Sequence, residues 1–486
     1  MKDFDVIVIG SGIGGLVSAG MLTSQGLKTL MIERRTTPGG YLSSFRRKGF
    51  VFDSAVDCIS GVGPGGLIYR TLELLGVNRE VSFIKIDPIR VSMFPDLEIT
   101  IDGDINAYMD RLTALFPPEA TTIKGFFEKS ERVYNELQST LGTIISGRLE
   151  LNTITPDVIR LMDVSYENLL NEFFKDYRLK AVLSDRCPFI GLPPSGVSAI
   201  AMVNMIMSYF KLGAYRSTGG FQKLADVFID GIKKNGGKVI FGNGAGKILL
   251  DRDDNCICNG VRCENGEEYT ANHVISNADF NHTFRCLLGG KYSLFADDLT
   301  HNPGITTSFF IVYIGIEGNV DVYSSIGYFP SYDMEKYFSP DMSFREDSTI
   351  GITVASIEDK SRAPDSCSAV VLHEMIEASD KSLDKAECLE KIMKKAGNII
   401  PLTKDKIVVL DAATSQTLER YTGNSKGAAF GWRQIPGFKG IKRHGIRNLY
   451  IAGHWGDMGG GVLAAAYSGA KVAGEILAKE GIKDVI

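Results

Sequence analysis

Three glycines and one acid carry the first chemistry legible in this chain. Gly10, Gly12 and Gly15 are spaced G-x-G-x-x-G in "VIVIGSGIGG". Glu33 lies roughly 20 positions further on, where an acid accepts hydrogen bonds from an adenosine ribose. In such a loop Gly10 allows the tight turn and Gly12 lets backbone approach a pyrophosphate. Gly15 lets the following helix pack close to the strand. The free N–H groups at the start of that helix then face the phosphates. With 53 glycines in the chain the spacing alone is weak. Its setting strengthens it, because an apolar run precedes it and a helical pattern follows.

Other chemistry-bearing residues are sparse. The six histidines are His273, His282, His301, His373, His444 and His454. None stands in a metal-ligand spacing, and the pattern names no catalytic acid or base. Cys256, Cys258 and Cys263 read C-x-C-x4-C, without the CxxC knuckles and fourth ligand of a structural zinc. Their stretch, "CICNGVRCENGEEY", reads as a hairpin turning at Asn265-Gly266, so no metal is expected.

The elements that must position these residues follow from periodicity. Asp5–Ile9 is the β-branched run of a buried parallel strand. Leu16 to Leu22 reads as a helix stopped at Gly26. Thr29–Ile32 is a second strand, ending at Glu33. "RRTTPGGYLSSFRRKGFVFDSA" reads as a loop, a Lys/Arg-rich turn and a strand. Residues from about 105 to 210 are mostly helical in pattern. "TGGFQKLADVFIDGIKKNGGKVIFGNGAGKILL" is a helix stopped at Gly236-Gly237, then strands. "HVISNAD" is a short strand and turn, and Ser308–Ile316 a strong strand. The end, "RNLYIAGHWGDMGGGVLAAAYSGAKVAGEIL", is strand, glycine-rich loop and long helix. At 486 residues two or three domains are expected. A net charge of −5 argues against a broad nucleic-acid footprint. No window has the roughly 20 apolar residues of a membrane span. The N-terminus enters a strand directly, as in a chain without a signal peptide. The eight cysteines form no framework, so a reducing, cytoplasmic location is expected.

Several segments together resemble the flavin-dependent family of phytoene desaturases, carotenoid isomerases and retinol saturases, a branch of the amine-oxidase-like flavoproteins. They are "VIVIGSGIGGL", "RRTTPGGYLSSFRRKGFVFD", "YRSTGGFQKLADVF", "VISNAD", "LERYTGNSKGAAFGW" and "NLYIAGHWGDMGGGVLAAAYSGAKVAGEIL", in the family's order across nearly the whole chain. The resemblance implies FAD and an α/β architecture. A Rossmann-like FAD-binding domain would be assembled from residues 1–100, 212–292 and 405–486. An α+β substrate domain would be inserted as 101–211 and 293–404. Carried over by position, Gly10, Gly12, Gly14 and Gly15 meet the pyrophosphate, and Glu33 with Arg34 the adenosine end. Gly39, Gly40 and Tyr41 run beside the flavin, and Ala245 stands against the adenine. Gly453, His454, Asp457, Met458, Gly461 and Val462 lie at the ribityl chain and the pyrimidine end. A helix beginning at Val462 would set its positive end toward charge on the reduced ring. Three positions depart from the pattern. Tyr41 replaces a frequent Arg, and His454, followed by Trp455, replaces an acid or Thr. Ala245 stands where Val is common.

The substrate is indicated by composition. "GVSAIAMVNMIMSYF" (196–210) has no charged residue and contains Met202, Met205 and Met207. It reads equally as a core helix and as an adaptable tunnel lining. No second G-x-G-x-x-G follows a strand, so electrons are expected to pass through substrate, a quinone, oxygen or a protein donor rather than a dedicated nicotinamide domain. The reading is an oxidoreductase for a long apolar isoprenoid, polyene or related unsaturated lipid, catalysing desaturation, saturation or isomerisation. Peripheral membrane contact goes with such a substrate. The alternatives are a flavin amine oxidase, with Tyr41, Trp432 and Trp455 as aromatic faces for a cation, and a non-catalytic flavin-bound scaffold.

Overall fold

The computed structural model describes residues 2–146, 155–251, 256–301, 303–339, 341, 343–379, 381–438, 440, 444–482 and 485. Their strands build two seven-stranded sheets. In the first, Phe4–Ile9 is central, parallel to Thr29–Glu33 on one side and to Glu268–Ser276 on the other. Lys238–Phe241 and Leu449–Ile451 continue the parallel set outward. Both faces of such a sheet are covered, which is why Val6, Ile7 and Val8 are all apolar and fully buried rather than alternating. The architecture is α/β and Rossmann-like.

The helix after the glycine loop runs Ile13–Ser24, longer at both ends than its apolar pattern suggests. It is apolar on every side because it is covered on every side. The C-terminal helix Val462–Lys479 packs against it at small residues. A Cβ on Gly469 would strike the Gly14 carbonyl, so glycine there sets how closely the helices approach.

The expected hairpin is present. Cys258–Cys263 pairs antiparallel with the start of Glu268–Ser276, and Gly266 turns at φ 91°. Cys258 and Cys263 are packed into the core beneath it. The Lys/Arg-rich segment differs from expectation. Ser44–Arg47 is itself a strand, paired with Phe50–Asp53, and the turn shrinks to Lys48-Gly49, both at positive φ.

The second sheet runs in the order 407–413, 308–317, 367–376, 350–353, 325–328, 90–94, 97–101. All its pairings are antiparallel except 325–328 with 90–94. Sheet membership therefore groups Arg90–Ile101 and Ile407–Ala413 with this unit. Helices Ile105–Leu115, Ala120–Ile145, Pro156–Asp163, Tyr166–Phe173, Tyr177–Leu183 and Ala199–Leu212 form an adjoining layer. The part of the helical expectation that falls on 147–154 lies outside the described residues. The uncharged stretch 196–210 lies mainly in Ala199–Leu212, which buries Met202, Val203 and Met207 completely. Met205 and Ile206 are half-buried against the same core. Of the two readings of this segment, the core helix is the one the packing supports.

Candidate cofactor site

A cavity of about 260 Å³ opens at the carboxyl ends of the parallel strands, where Ile9, Gly10, Ile32, Glu33 and Asn277 line it. Ligands bind at this end of an open parallel sheet. Gly10 turns at φ 90°, and Gly12 is the N-cap of Ile13–Ser24, with no side chain capping the helix. Gly461, at the N-cap of Val462–Lys479, also lines the cavity and is also uncapped by a side chain. Two helix N-termini thus present free N–H groups and positive ends to one space, an arrangement suited to phosphates and electron-rich oxygens.

Glu33 is fixed before any ligand arrives. Its Oε2 accepts from the Ser11 amide at 2.9 Å and the Ser11 hydroxyl at 2.6 Å. Its Oε1 accepts from the Arg35 amide at 2.8 Å, leaving acceptor capacity on that oxygen for a ribose hydroxyl. Arg34, Gly244, Ala245, Glu264 and His282 complete this polar end. Asp279 beside it is buried. Burial raises its pKa against the pull of the Ser425 and His282 amides, from which it accepts hydrogen bonds.

The opposite end is built from three distant segments. Gly39 donates its amide to the Ser11 carbonyl, which ties the Gly39-Gly40 turn to the glycine loop. Tyr41 donates its hydroxyl to the Ala428 carbonyl at 2.9 Å, and its ring lies 6.0 Å from that of His454. Asn424 joins the last two segments. Its Oδ1 accepts from Trp455 Nε1 at 2.7 Å and pairs with His454 Nε2 at 2.9 Å. An indole N–H only donates, so the shared Asn424 atom is the carbonyl oxygen and His454 Nε2 carries its proton. Burial pushes the His454 pKa down to about 4, so the ring is neutral near pH 7.

The cavity gathers Gly10, Gly12, Gly14, Glu33, Arg34, Gly39, Gly40, Tyr41, Ala245, Gly453, His454, Gly461 and Val462. It does not include Gly15, Asp457 or Met458. Gly15 lies behind the loop, where a Cβ would strike the Gly10 carbonyl, which is the close-packing role its spacing implies. Asp457 points to an ion pair with Lys471. Sequence reasoning missed Ser11, Asn277 and Asn424. Asn277 is the hub of the glycine loops, since a Cβ on Gly12, Gly14 or Gly453 would meet its amide. Its only local signal is a polar residue ending the strand in "VISNAD". Trp432 and Trp455, considered as faces for a cation, are 1% exposed and meet edge to face at 4.9 Å instead of lining the cavity. The uncapped helix ends, the glycine cradle and the held carboxylate fit an adenine dinucleotide carrying a flavin.

Comparison with known proteins agrees with this site. The family model described as flavin containing amine oxidoreductase matches residues 13–477. Prolycopene isomerase 1, chloroplastic, from an Oncidium hybrid cultivar is 26% identical over 99% of this chain and 85% of its own length. All-trans-retinol 13,14-reductase from Danio rerio is 25% identical over 98% of this chain and 86% of its own. The crystal structure of an oxidoreductase from Methanosarcina mazei superposes with a TM-score of 0.65 at 18% identity, covering 96% of this chain and 99% of that one.

Proposed function

The chain belongs to the flavin containing amine oxidoreductase family and is an FAD-dependent oxidoreductase; on that premise we propose that its substrate is a long, apolar, unsaturated isoprenoid or related lipid. The observation that carries this reading is the wall opposite the polar end. Leu42, Val56, Phe309, Ile311 and Phe430 line the cavity there, with Tyr41 and the neutral His454 beside them. Bound FAD would supply hydride or single-electron transfer, and the residues here would position an unsaturated chain against it. Gly10, Gly12, Gly14, Gly39, Gly40, Gly453, Gly461 and Val462 would hold the cofactor through backbone, and Glu33 through its carboxylate. Tyr41 and the neutral His454 would order the segment between them. The relatives are named for an isomerisation and a reduction of polyenes, which supports the substrate class and leaves the direction of electron flow to experiment.

Of the three aromatic faces the amine-oxidase alternative would use, Tyr41 lines the cavity while Trp432 and Trp455 belong to the core, so that reading draws less support. The electron partner we propose is a quinone, oxygen or a protein donor. Anaerobic stopped-flow spectroscopy of the holoprotein tests the scheme. A desaturase is expected to lose its oxidised flavin band on mixing with a polyene precursor. A saturase is expected to regain that band when the dithionite-reduced protein meets a polyene. An isomerase is expected to form product only after reduction, with no net electron use. NADPH should reduce the flavin slowly or not at all, and rapid, saturable reduction at micromolar NADPH would overturn the electron path. Bleaching by lipophilic amines alone would assign amine oxidation, and no exchange with any lipid or amine would assign the scaffold.

Among the described residues no helix is long and apolar enough to cross a membrane. A substrate of this class resides in bilayers, so we propose reversible peripheral contact. Co-flotation of the holoprotein with liposomes is the expected result, and its absence would count against that contact.

A further inference from the structure

Beyond the apolar wall, a row of residues crosses one face of the second sheet. Ile311, which lines the cavity, pairs with His373, His373 with Gly351, Gly351 with Gly327, and Gly327 with Ser92. Directly paired residues share a face, and Arg90, two positions before Ser92, shares it too. The glycines leave room for long side chains to lie flat. A Cβ on Gly351 would strike the His373 imidazole, and one on Gly327 the Arg90 guanidinium. Arg90 therefore reaches back over strand 325–328, about 14 Å from the strand of Ile311 at three interstrand spacings.

Arg90 and Arg186 are 3% and 5% exposed. Both guanidiniums lie against the Phe189 ring, at 4.9 and 5.1 Å. Among the described residues neither donates a hydrogen bond, and Arg90 Nε and Arg186 Nη1 are fully buried without an acceptor. The nearby carboxylates give neither arginine a hydrogen bond, although Asp185 is ion-paired with Arg186. Asp185 accepts from Ser92 at 2.7 Å and stands 4.0 Å from Arg186 Nε, too far for a hydrogen bond. Asp57 is taken by Arg216 at 2.6 Å and Ser325 at 2.8 Å. Arg216 shows how this interior satisfies a structural arginine: it donates to Asp57, Glu358 and the Asp57 and Ser324 carbonyls. Among the described residues Arg90 and Arg186 make no such hydrogen bonds, and Arg186 has only the long ion pair with Asp185. Burial and the charge of Arg186 hold the Arg90 pKa down, to about 10, so both are cations near neutral pH.

We propose that Arg90 and Arg186 together hold an anionic oxygen head, a carboxylate or a phosphate, on an otherwise apolar substrate. A guanidinium matches either head with paired N–H donors. The inference rests on the lipid reading above and narrows it to an acidic unsaturated lipid.

The test is calorimetric titration of the holoprotein with farnesoic acid, methyl farnesoate and farnesyl phosphate. Wild type is expected to bind at least one of the two anions at least tenfold more tightly than the ester. The tighter of the two identifies the head. Arg90→Gln and Arg186→Gln are expected to remove that preference and leave ester binding and flavin content unchanged, with Arg90→Lys restoring part of it. Equal affinity for anions and ester in wild type, which needs no variant, overturns the proposal. So does an unchanged preference in the folded double variant, or no binding of any probe. If a neutral polyene exchanges electrons with the flavin while anions and ester bind equally, the lipid reading stands and the head-group site falls. If the anion is preferred through the arginines while no lipid exchanges electrons, the head-group site stands and the lipid reading falls.

Discussion

Gly12→Val is expected to purify as a folded, colourless protein, with a flavin-to-protein absorbance ratio at most a tenth of wild type. Gly12 has φ −66° and ψ 167°, a conformation open to any residue, so valine brings no backbone strain. An added Cβ meets only the Asn277 amide nitrogen, the end of a side chain that can turn. The valine methyls instead occupy the cavity in front of the uncapped helix, where the backbone must approach a pyrophosphate. Tenfold loss of affinity corresponds to about 1.4 kcal/mol, and lost phosphate contact exceeds that. Gly15→Ala is the contrasting case. Its Cβ collides with the Gly10 carbonyl, a backbone atom, so overpacking costs about 1–3 kcal/mol of stability and the flavin is lost through the fold. Circular dichroism melting beside absorbance at the flavin band separates the two. A fully flavinated Gly12→Val protein would remove this loop from the cofactor site.

What could be read from sequence was local. Gly10, Gly12, Gly15 and Glu33 lie in one βαβ unit, where spacing along the chain translates directly into spacing in the fold. The C-terminal loop was readable for the same reason, since Gly461 and Val462 begin a helix whose apolar pattern is visible. What brings the two together was not readable. Gly14 packs on both Gly453 and Asn277, three segments far apart in sequence with no period in common. Composition also has no geometry. Trp432 and Trp455 look like ligand faces as bare residue types, and only the fold shows each indole N–H already engaged, with Trp455 and Asn424. Met202 and Met207 likewise suit a wall or a core equally until the helical layer closes over them. The strand at Arg90 pairs with Ser325–Tyr328 across nearly half of the chain, which is why an unsatisfied buried cation there left no sequence signal.

Stability and flavin retention are expected to fall together as pH drops from 6.5 to 4. Burial is the main cause holding the His373 and His454 pKa values down, to about 4, against an ordinary 6.5. Asp57 pulls His373 back up and a backbone acceptor at Ala429 does so for His454, but neither offsets the burial. In this window the unfolded chain binds two protons that the folded chain refuses. Stability therefore rises with pH from about 4 to 6.5 and is lost in the other direction. At 1.36 kcal/mol per unit each imidazole removes roughly 3 kcal/mol by pH 4, out of a total of about 5–15. Burial shifts His282 and His444 in the same direction. Asp57 acts in a separate window. Burial alone would raise its pKa, but the Arg216 guanidinium overrides this and holds it at about 2, so its contribution is present above about 4 and is lost as pH falls from there toward 2. The urea midpoint of the holoprotein is the measurement, taken at half-unit steps from pH 7 to 4. His373→Gln and His454→Gln are each expected to flatten the slope, by less than half because His282 and His444 contribute in the same direction. A slope unchanged in both variants would assign the acid sensitivity to other groups, and a midpoint that rises toward pH 4 would reverse the sign. Flavin release should follow the same curve more steeply through His454 than through His373, because His454 lines the cavity and bonds Asn424 at its edge, so its protonation places a charge inside the site itself.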